Sequence, residues 1–378
     1  MKTFQRLQQL KSRRFPKTRK ELLTRFGMAD IVLCPKAEPE SRWSLFSWSP
    51  GTLLKATVSE KRLLGRFLNF TDEAHHAKPT AQLGRVDIGN DRHINTLTIK
   101  STRPESEGPA KNLVITHGYG AGLGFFYRNY AQMAESGYNI YAVDWLGMAN
   151  SSRPPFPKDK RDATEDESVQ QAEEFFVESL EDWRVKMGLD KMVLFGHSLG
   201  GYLSTCYALK HPEAVEKLLL ISPAGVPSPP PPVEPPMASS SFANMITSLF
   251  QKGYTPMSII RGIGPFGPSL VRRYTSRRFA HLDPQELNDL DSYLFNISAQ
   301  SGSGEYALSR LLLPVYQILP SEHSPVAHYT TVFGSSRSQL RWSTATRTGW
   351  ISGMDCMLRP TCTRRVSRLS KMPAIICT

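Results

Sequence analysis

The stretch that most constrains this chain is Val193-Leu-Phe-Gly-His-Ser-Leu-Gly-Gly201. Met192 to Phe195 is an apolar run that reads as a buried strand. Gly196-His-Ser-Leu-Gly200 follows as a Gly-x-Ser-x-Gly turn, and Tyr202 to Leu209 continues as an apolar helical stretch. Strand, tight turn and helix place Ser198 at an exposed apex. Both glycines are required, because side chains there would collide with the strand or the helix. The free N–H groups at the start of the helix point to where negative charge develops during acyl transfer.

The segments around this turn alternate between strand and helix. Gln82 to Lys100 alternates apolar and polar residues about Gly89-Asn90 and reads as a β-hairpin at the edge of a sheet. Asn112 to Thr116 is a buried strand ending in His117-Gly-Tyr-Gly-Ala-Gly122. Phe125 to Ser136 reads as helix, Tyr138 to Asp144 as strand, about Glu165 to Met187 as a long helix with an acidic first half, and Leu218 to Ile221 as strand. Units of this length imply an α/β chain with a mostly parallel, doubly wound sheet. With the serine turn, they specify the α/β-hydrolase fold. In that fold a glycine-rich loop supplies the second oxyanion donor. The backbone N–H of Tyr119 is assigned that role, beside the N–H of Leu199, and His117 is read as bracing the loop.

The pattern breaks after Ser222. Pro223 to Pro236 is too proline-dense for helix or inner strand. Residues 237–300 return to helical apolar spacing (Phe242, Met245, Ile246, Leu249, Phe250, then Leu287, Leu290, Tyr293, Leu294). An apolar insertion between strands is the sequence form of a lid, and its Phe, Met, Leu and Ile suit an acyl chain. Arg272 and Arg273, with Arg277 and Arg278, either meet an anionic lipid headgroup or form a solvated face.

The chain divides into a basic extension (1–41), the first part of the core (42–222), a Pro-rich linker and lid (223–313), and an atypical end (314–378). Of its 378 residues, 40% are hydrophobic and the formal charge is +12. Residues 1–27 carry nine Lys and Arg against Glu21 alone, and residues 314–378 carry eight against Glu322 and Asp355. The middle is therefore near neutral, which argues against a nucleic-acid partner. The extension, with Phe4, Leu7 and Leu10 on one helical face, reads as a mitochondrial presequence or as a basic tail. Trp43, Leu45, Phe46 and Trp48 either pack on the domain or enter a lipid interface. No apolar run approaches the ~20 residues of a membrane span. The five cysteines have no framework or zinc-site spacing, and no motif for a metal or nucleotide cofactor is present.

The chain resembles one α/β-hydrolase subfamily. It holds the lipid-droplet coactivator of adipose triglyceride lipase, the hydrolase of N-acyl phospholipids and the fungal mitochondrial cardiolipin deacylase. The matching stretches are His117-Gly-Tyr-Gly-Ala-Gly, Asp144-Trp-Leu-Gly followed by Ser151-Ser-Arg-Pro, and Gly196-His-Ser-Leu-Gly-Gly. In the lid they are Pro256-Met-Ser-Ile-Ile-Arg-Gly-Ile-Gly-Pro-Phe-Gly-Pro, Thr275-Ser-Arg-Arg-Phe and Gly302-Ser-Gly-Glu-Tyr-Ala-Leu308. The match runs from about residue 40 to about residue 313. It implies a phospholipid acyl substrate, a peripheral membrane surface, a lipase or lipid-droplet partner in some members, and hydrolysis by Ser198, which coactivator members replace. With the basic N-terminus it implies mitochondrial remodelling of a cardiolipin-like lipid.

The resemblance ends where the rest of the triad belongs. The order Ser, then Asp or Glu, then His is required. Trp350-Ile-Ser-Gly-Met-Asp355 only faintly matches the acid motif, and the last histidines are His323 and His328. Either the sequence beyond about Leu313 belongs to another reading frame or splice form, or the chain is a truncated form without catalysis. A further possibility, His328 as base and Asp355 as acid, inverts the usual order. A non-catalytic lipid-binding or coactivator protein is the alternative function. Acyl transfer to a lysophospholipid is a second alternative, weakened because no histidine has an Asp five residues on.

Overall fold

The computed structural model describes residues 52–70, 78–104, 106, 108–156, 165–224, 254–311 and 374–377. Four expectations lie outside them: the N-terminal extension, the Trp43 to Trp48 cluster, the proline-dense and apolar stretch over 225–253, and the tail residues His328 and Asp355.

The hairpin forms where alternation placed it. Strands β1 (Ala81–Gly89) and β2 (Arg92–Ile99) pair antiparallel from Ala81↔Ile99 to Gly89↔Arg92. Positive φ angles at Gly89, Asn90 and Asp91 turn the chain, at residue types that tolerate the left-handed region. β2 pairs antiparallel with β4 (Tyr138–Val143), which runs parallel to β3 (Lys111–Thr116). β3 continues in parallel to β5 (Met192–His197), and β5 to β6 (Val215–Ile221). Strand β7 (Ala374–Cys377) pairs in parallel with β6, with Leu218 opposite Ala374. Among the described residues the order is β1-β2-β4-β3-β5-β6-β7. β7 is an addition to the sequence reading, which placed no strand in the tail. A run of four residues suffices because β6 already offers a row of backbone donors and acceptors.

The central strands are apolar on both faces, as a parallel sheet covered on both sides requires. Val114, Tyr141, Leu194 and Leu218 point to one core. They meet α3 (Glu165–Met187) through Phe176, Leu180 and Trp183, and α4 (Leu199–Lys210) through Tyr202 and Leu203. Leu113, Ile115, Ile140, Val193 and Phe195 point to the other. There they meet α1 (Leu53–Leu64) through Leu63 and Leu64, and α2 (Tyr130–Glu135) through Tyr130 and Met133.

Two departures from the sequence reading have physical causes. The single helix expected over Phe125 to Ser136 is a 3₁₀ turn (Leu123–Phe126) followed by the shorter α2. The N–H groups of Leu123 and Gly124 donate to the Asp144 carboxylate and the Tyr293 hydroxyl, so tertiary partners fix the tight turn. The lid stretch also divides. Helix α5 (Pro256–Gly262) buries no residue and α6 (Gly267–Arg278) adds Val271 to the second core, whereas α7 (Pro284–Ser298) buries Leu290, Tyr293, Leu294, Phe295 and Ile297 there. Asp283 caps α7 by accepting from the N–H groups of Gln285 and Glu286. A short helix α8 (Leu308–Leu311) returns the chain towards α3.

Candidate active site

Ser198 sits between β5 and α4 with φ 53° and ψ −121°, a conformation an L-residue holds only when its surroundings impose it. They do so through the backbone. The Ser198 N–H donates to the Ile221 carbonyl at 3.0 Å, and its carbonyl accepts from Gly201, Tyr202 and Ala224. A Cβ on Gly200 would lie 2.5 Å from the His117 carbonyl oxygen, and one on Gly196 2.6 Å from the Gly200 oxygen. Strand and helix close on the turn too tightly for any other residue at these two positions.

The loop after β3 abuts the serine. A Cβ on Gly118 would stand 2.9 Å from Ser198 Cβ, so the loop backbone touches the nucleophile's side. The next residue is Tyr119. Its N–H and that of Leu199, the first residue of α4, have no hydrogen-bond partner among the described residues. The structure thus brings Ser198, Leu199 and Tyr119 to one place.

His117 holds the loop, as its position suggested. It is buried, its Nδ1 lies 2.8 Å from the Gly118 carbonyl oxygen, and its Nε2 accepts from the Trp145 N–H at 3.1 Å. The Trp145 indole donates back to the His117 carbonyl. Both ring nitrogens are therefore engaged. Burial lowers the His117 pKa, with Asp144 opposing. His197, beside the nucleophile in sequence, is pulled down to about 4 by burial and by His117, and its ring stands edge-on to Phe126. No hydrogen bond joins Ser198 Oγ to a histidine among the described residues.

A buried carboxyl pair underlies the loop, and the sequence reading missed it. Asn95 Nδ2 donates to Asp144 Oδ2 at 2.7 Å and to Glu60 Oε2 at 3.0 Å. Asp144 also accepts from the N–H groups of Leu123 and Asn150. Burial raises the pKa of both acids, and the Asp144 charge raises Glu60 further. His117, Asn95 and the N–H groups of Leu123 and Asn150 oppose the rise at Asp144, so Glu60 is raised the further of the two. One signal was available: Glu60 shares the apolar stripe of α1 with Ala56 and Leu64, where a charged residue has no place unless neutralised.

Beside the loop lies a narrow cleft, lined by Tyr119, Gly120, Met148, Arg153, Met257 and Glu305 among others. Its polar wall is braced. Glu305 accepts from the Thr255 hydroxyl at 2.7 Å and from both terminal nitrogens of Arg261. Arg153 donates to the carbonyls of Gly147, Ala149, Ile297 and Ser301, and burial lowers its pKa to about 10. These charged residues fasten the lid to the loop over Gly147 to Ala149.

The candidate headgroup pair is split. Arg272 and Arg273 are both exposed on α6, but Arg272 Nε stands 3.9 Å from Asp291, while Arg273 faces solvent. Neighbours on a helix point about 100° apart, so the two side chains diverge, Arg272 towards Asp291 and Arg273 away from it. Among the described residues no cluster of His, Cys, Asp and Glu forms a metal site, and no helix is long and apolar enough to cross a membrane.

Comparison with known proteins agrees with this geometry. The family model described as alpha/beta hydrolase fold matches residues 111–255. The chain is 35% identical over 296 residues to a probable 1-acylglycerol-3-phosphate O-acyltransferase of Oryza sativa subsp. japonica, covering 72% of this chain and 67% of the relative. It is 35% identical over 230 residues to the (lyso)-N-acylphosphatidylethanolamine lipase of Homo sapiens, covering 60% and 62%. It is 34% identical over 205 residues to 1-acylglycerol-3-phosphate O-acyltransferase ABHD5 of Homo sapiens, covering 53% and 55%. The chain thus spans between about half and two thirds of the length of these relatives. With a strained serine at the head of β5, a parallel sheet beneath it and these relatives beside it, the chain belongs to the α/β-hydrolase family.

Proposed function

We propose that this protein is a serine hydrolase that deacylates membrane phospholipids of the cardiolipin-like or N-acyl type. The observation that carries this reading is the strained Ser198, flanked by the N–H groups of Leu199 and Tyr119, which have no hydrogen-bond partner among the described residues. Ser198 Oγ attacks the acyl carbonyl, and its proton passes to a base. The two N–H groups hold the oxyanion that forms. The tetrahedral intermediate collapses, the alcohol or amine leaves with the proton, and water hydrolyses the acyl-enzyme. Met148, Met257 and Ile297 form the apolar side of the narrow cleft beside Tyr119, and that apolar side supports an acyl chain as the group that approaches the serine. No metal or nucleotide cofactor enters this scheme. The relatives named for a lipase and for O-acyltransferases support a lipid acyl group as substrate.

One observation favours a second reading. His117 has both ring nitrogens engaged, and no hydrogen bond joins Ser198 Oγ to a histidine among the described residues, so none of the described histidines is placed as the base. On that reading the chain binds lipid in the same cleft without turning it over, or acts as the coactivator of a lipase at a lipid droplet. Acyl transfer to a lysophospholipid, the third reading, differs in product: a transacylated lipid rather than a free fatty acid.

Fluorophosphonate labelling of the 378-residue chain, with Ser198→Ala as control, tests the choice. Labelling confined to Ser198 is the expected outcome; an unlabelled, folded protein overturns hydrolysis and leaves the lipid-binding reading. We also propose that residues 1–27 direct the protein to mitochondria. A fluorescent fusion lacking them is expected to lose that location, and unchanged import overturns the targeting role.

A further inference from the structure

Among the described residues, helix α6 buries one side and leaves the other largely exposed. Gly267, Val271 and Thr275 recur every four residues and are buried. Phe266, Leu270 and Tyr274 recur with the same spacing and are 62%, 42% and 58% exposed. Ile263, just beyond α5, adds to them, and Tyr254 precedes that helix. Five of the nine exposed large hydrophobic residues among the described ones thus fall within residues 254–274, which is a patch and not scatter.

The charges on α6 sort by the same geometry. At about 100° per residue, Arg273 and Arg277 project among Phe266, Leu270 and Tyr274. Arg272 lies about a third of a turn away, towards Asp291. The helix carries four arginines and no acid. Its open side is therefore an apolar, aromatic stripe with two arginines set into it.

Charge complementarity selects the occupant. Residues 1–27 and 314–378 are both strongly basic and repel an arginine-bearing stripe. A second copy applying the same face would set Arg273 and Arg277 against their own kind. An anionic surface complements them. A helix with basic and aromatic residues on one side lies in the plane of a bilayer interface.

We propose that α6, with Ile263, docks flat on an anionic lipid bilayer. Phe266, Leu270 and Tyr274 enter the boundary between headgroups and acyl chains, and Arg273 and Arg277 meet lipid phosphates. This inference rests on the phospholipid reading above for its choice of partner. The adjoining α5 carries Met257, which lines the cleft beside Tyr119, and α5 contacts α6, so the docked helix and the cleft are neighbours.

The test is co-sedimentation of the full chain with vesicles of phosphatidylcholine alone or mixed with phosphatidylglycerol. The protein binds the mixed vesicles more tightly. Arg273→Ala with Arg277→Ala weakens that binding roughly thirty-fold, about five-fold per arginine. Arg272→Ala leaves it unchanged. In a second measurement, Leu270→Trp shifts its emission to the blue on adding mixed vesicles. Equal binding by the double variant, or no shift at Trp, overturns the proposal. So does lipid-free destabilisation by Phe266→Ser with Leu270→Ser, which means a segment of this chain covers the stripe. Self-association abolished by the same substitutions means a second copy covers it, and also overturns the proposal. Vesicle binding needs no turnover. If Ser198 fails to label while the α6 variants lose binding, hydrolysis falls and docking stands. If Ser198 labels while the α6 variants bind as before, docking falls and hydrolysis stands.

Discussion

The serine turn and the lid are held in place by different forces. Around Ser198 the fit is between backbones: Gly196 and Gly200 leave no room for a methyl group, and four hydrogen bonds fix the Ser198 peptide groups. The lid is fastened by side chains carrying charge. Arg128 Nη2 and Nε reach Glu286 at 2.5 Å, Arg66 reaches Asp289 at 2.9 Å, and Arg261 reaches Glu305 at 2.6 Å. The lid also leaves its apolar stripe facing outward, whereas the turn is enclosed by two cores. A site that must hold a strained backbone needs contacts that cannot yield. An element that meets a changing surface can be held by ion pairs that tolerate solvent at their rims.

Substitutions that treat the two regions alike expose the contrast. Gly200→Ala forces a carbon into the His117 carbonyl and is expected to destabilise by about 3 kcal/mol, with loss of any Ser198 reactivity. Denaturant unfolding measures it; a cost near zero would mean the turn relaxes freely. Next in size is Arg128→Met, which strands Glu286, only 4% exposed, without its cation. A fully buried pair loses about 3–5 kcal/mol when one partner is removed. Arg128 is one-third exposed, so about 2 kcal/mol is expected here, with α7 loosening before the sheet in hydrogen exchange.

Glu60→Gln tests the carboxyl pair through pH. Burial and Asp144 raise the folded pKa of Glu60 above its unfolded value near 4.3, so its favourable contribution is complete below that pH. It is lost as pH rises through the raised value. The variant, neutral throughout, is expected to match the native chain in acid and to exceed it in stability at neutral and higher pH. Parallel pH profiles of the two proteins would refute the raised pKa of Glu60. The smallest effect belongs to the lid. A Cβ on Gly262 meets nothing within 4 Å and its φ is not positive, so Gly262→Ala is expected within about 0.5 kcal/mol of the native chain. The thermal midpoint measures this, and a cost comparable to that of Gly200→Ala would erase the distinction between the regions.

The elements legible in the sequence share a property: their constraint is local. The hairpin about Gly89-Asn90 and the long helix from Glu165 to Met187 both lie where alternation or helical spacing put them. The strand before Ser198 and the bracing role of His117 were also readable, because a Gly-x-Ser-x-Gly turn and a glycine-rich loop after a strand each imply their own backbone. The second core was less legible. Helical spacing over Leu287 to Leu294 announced a helix but not that α7 packs into the domain instead of covering it.

The serine turn and the alternating strands and helices around it follow from the order of residues, since sterics and periodicity act between residues a few positions apart. Tertiary structure alone decided the rest. It brought Glu60 and Asp144 to either side of Asn95. It also turned Arg272 to Asp291 while Arg273 stayed on the open face. Such pairings join residues up to about two hundred positions apart, as Arg66 does with Asp289. Charge and burial act through distance in space, and distance in space exists only once the chain has folded.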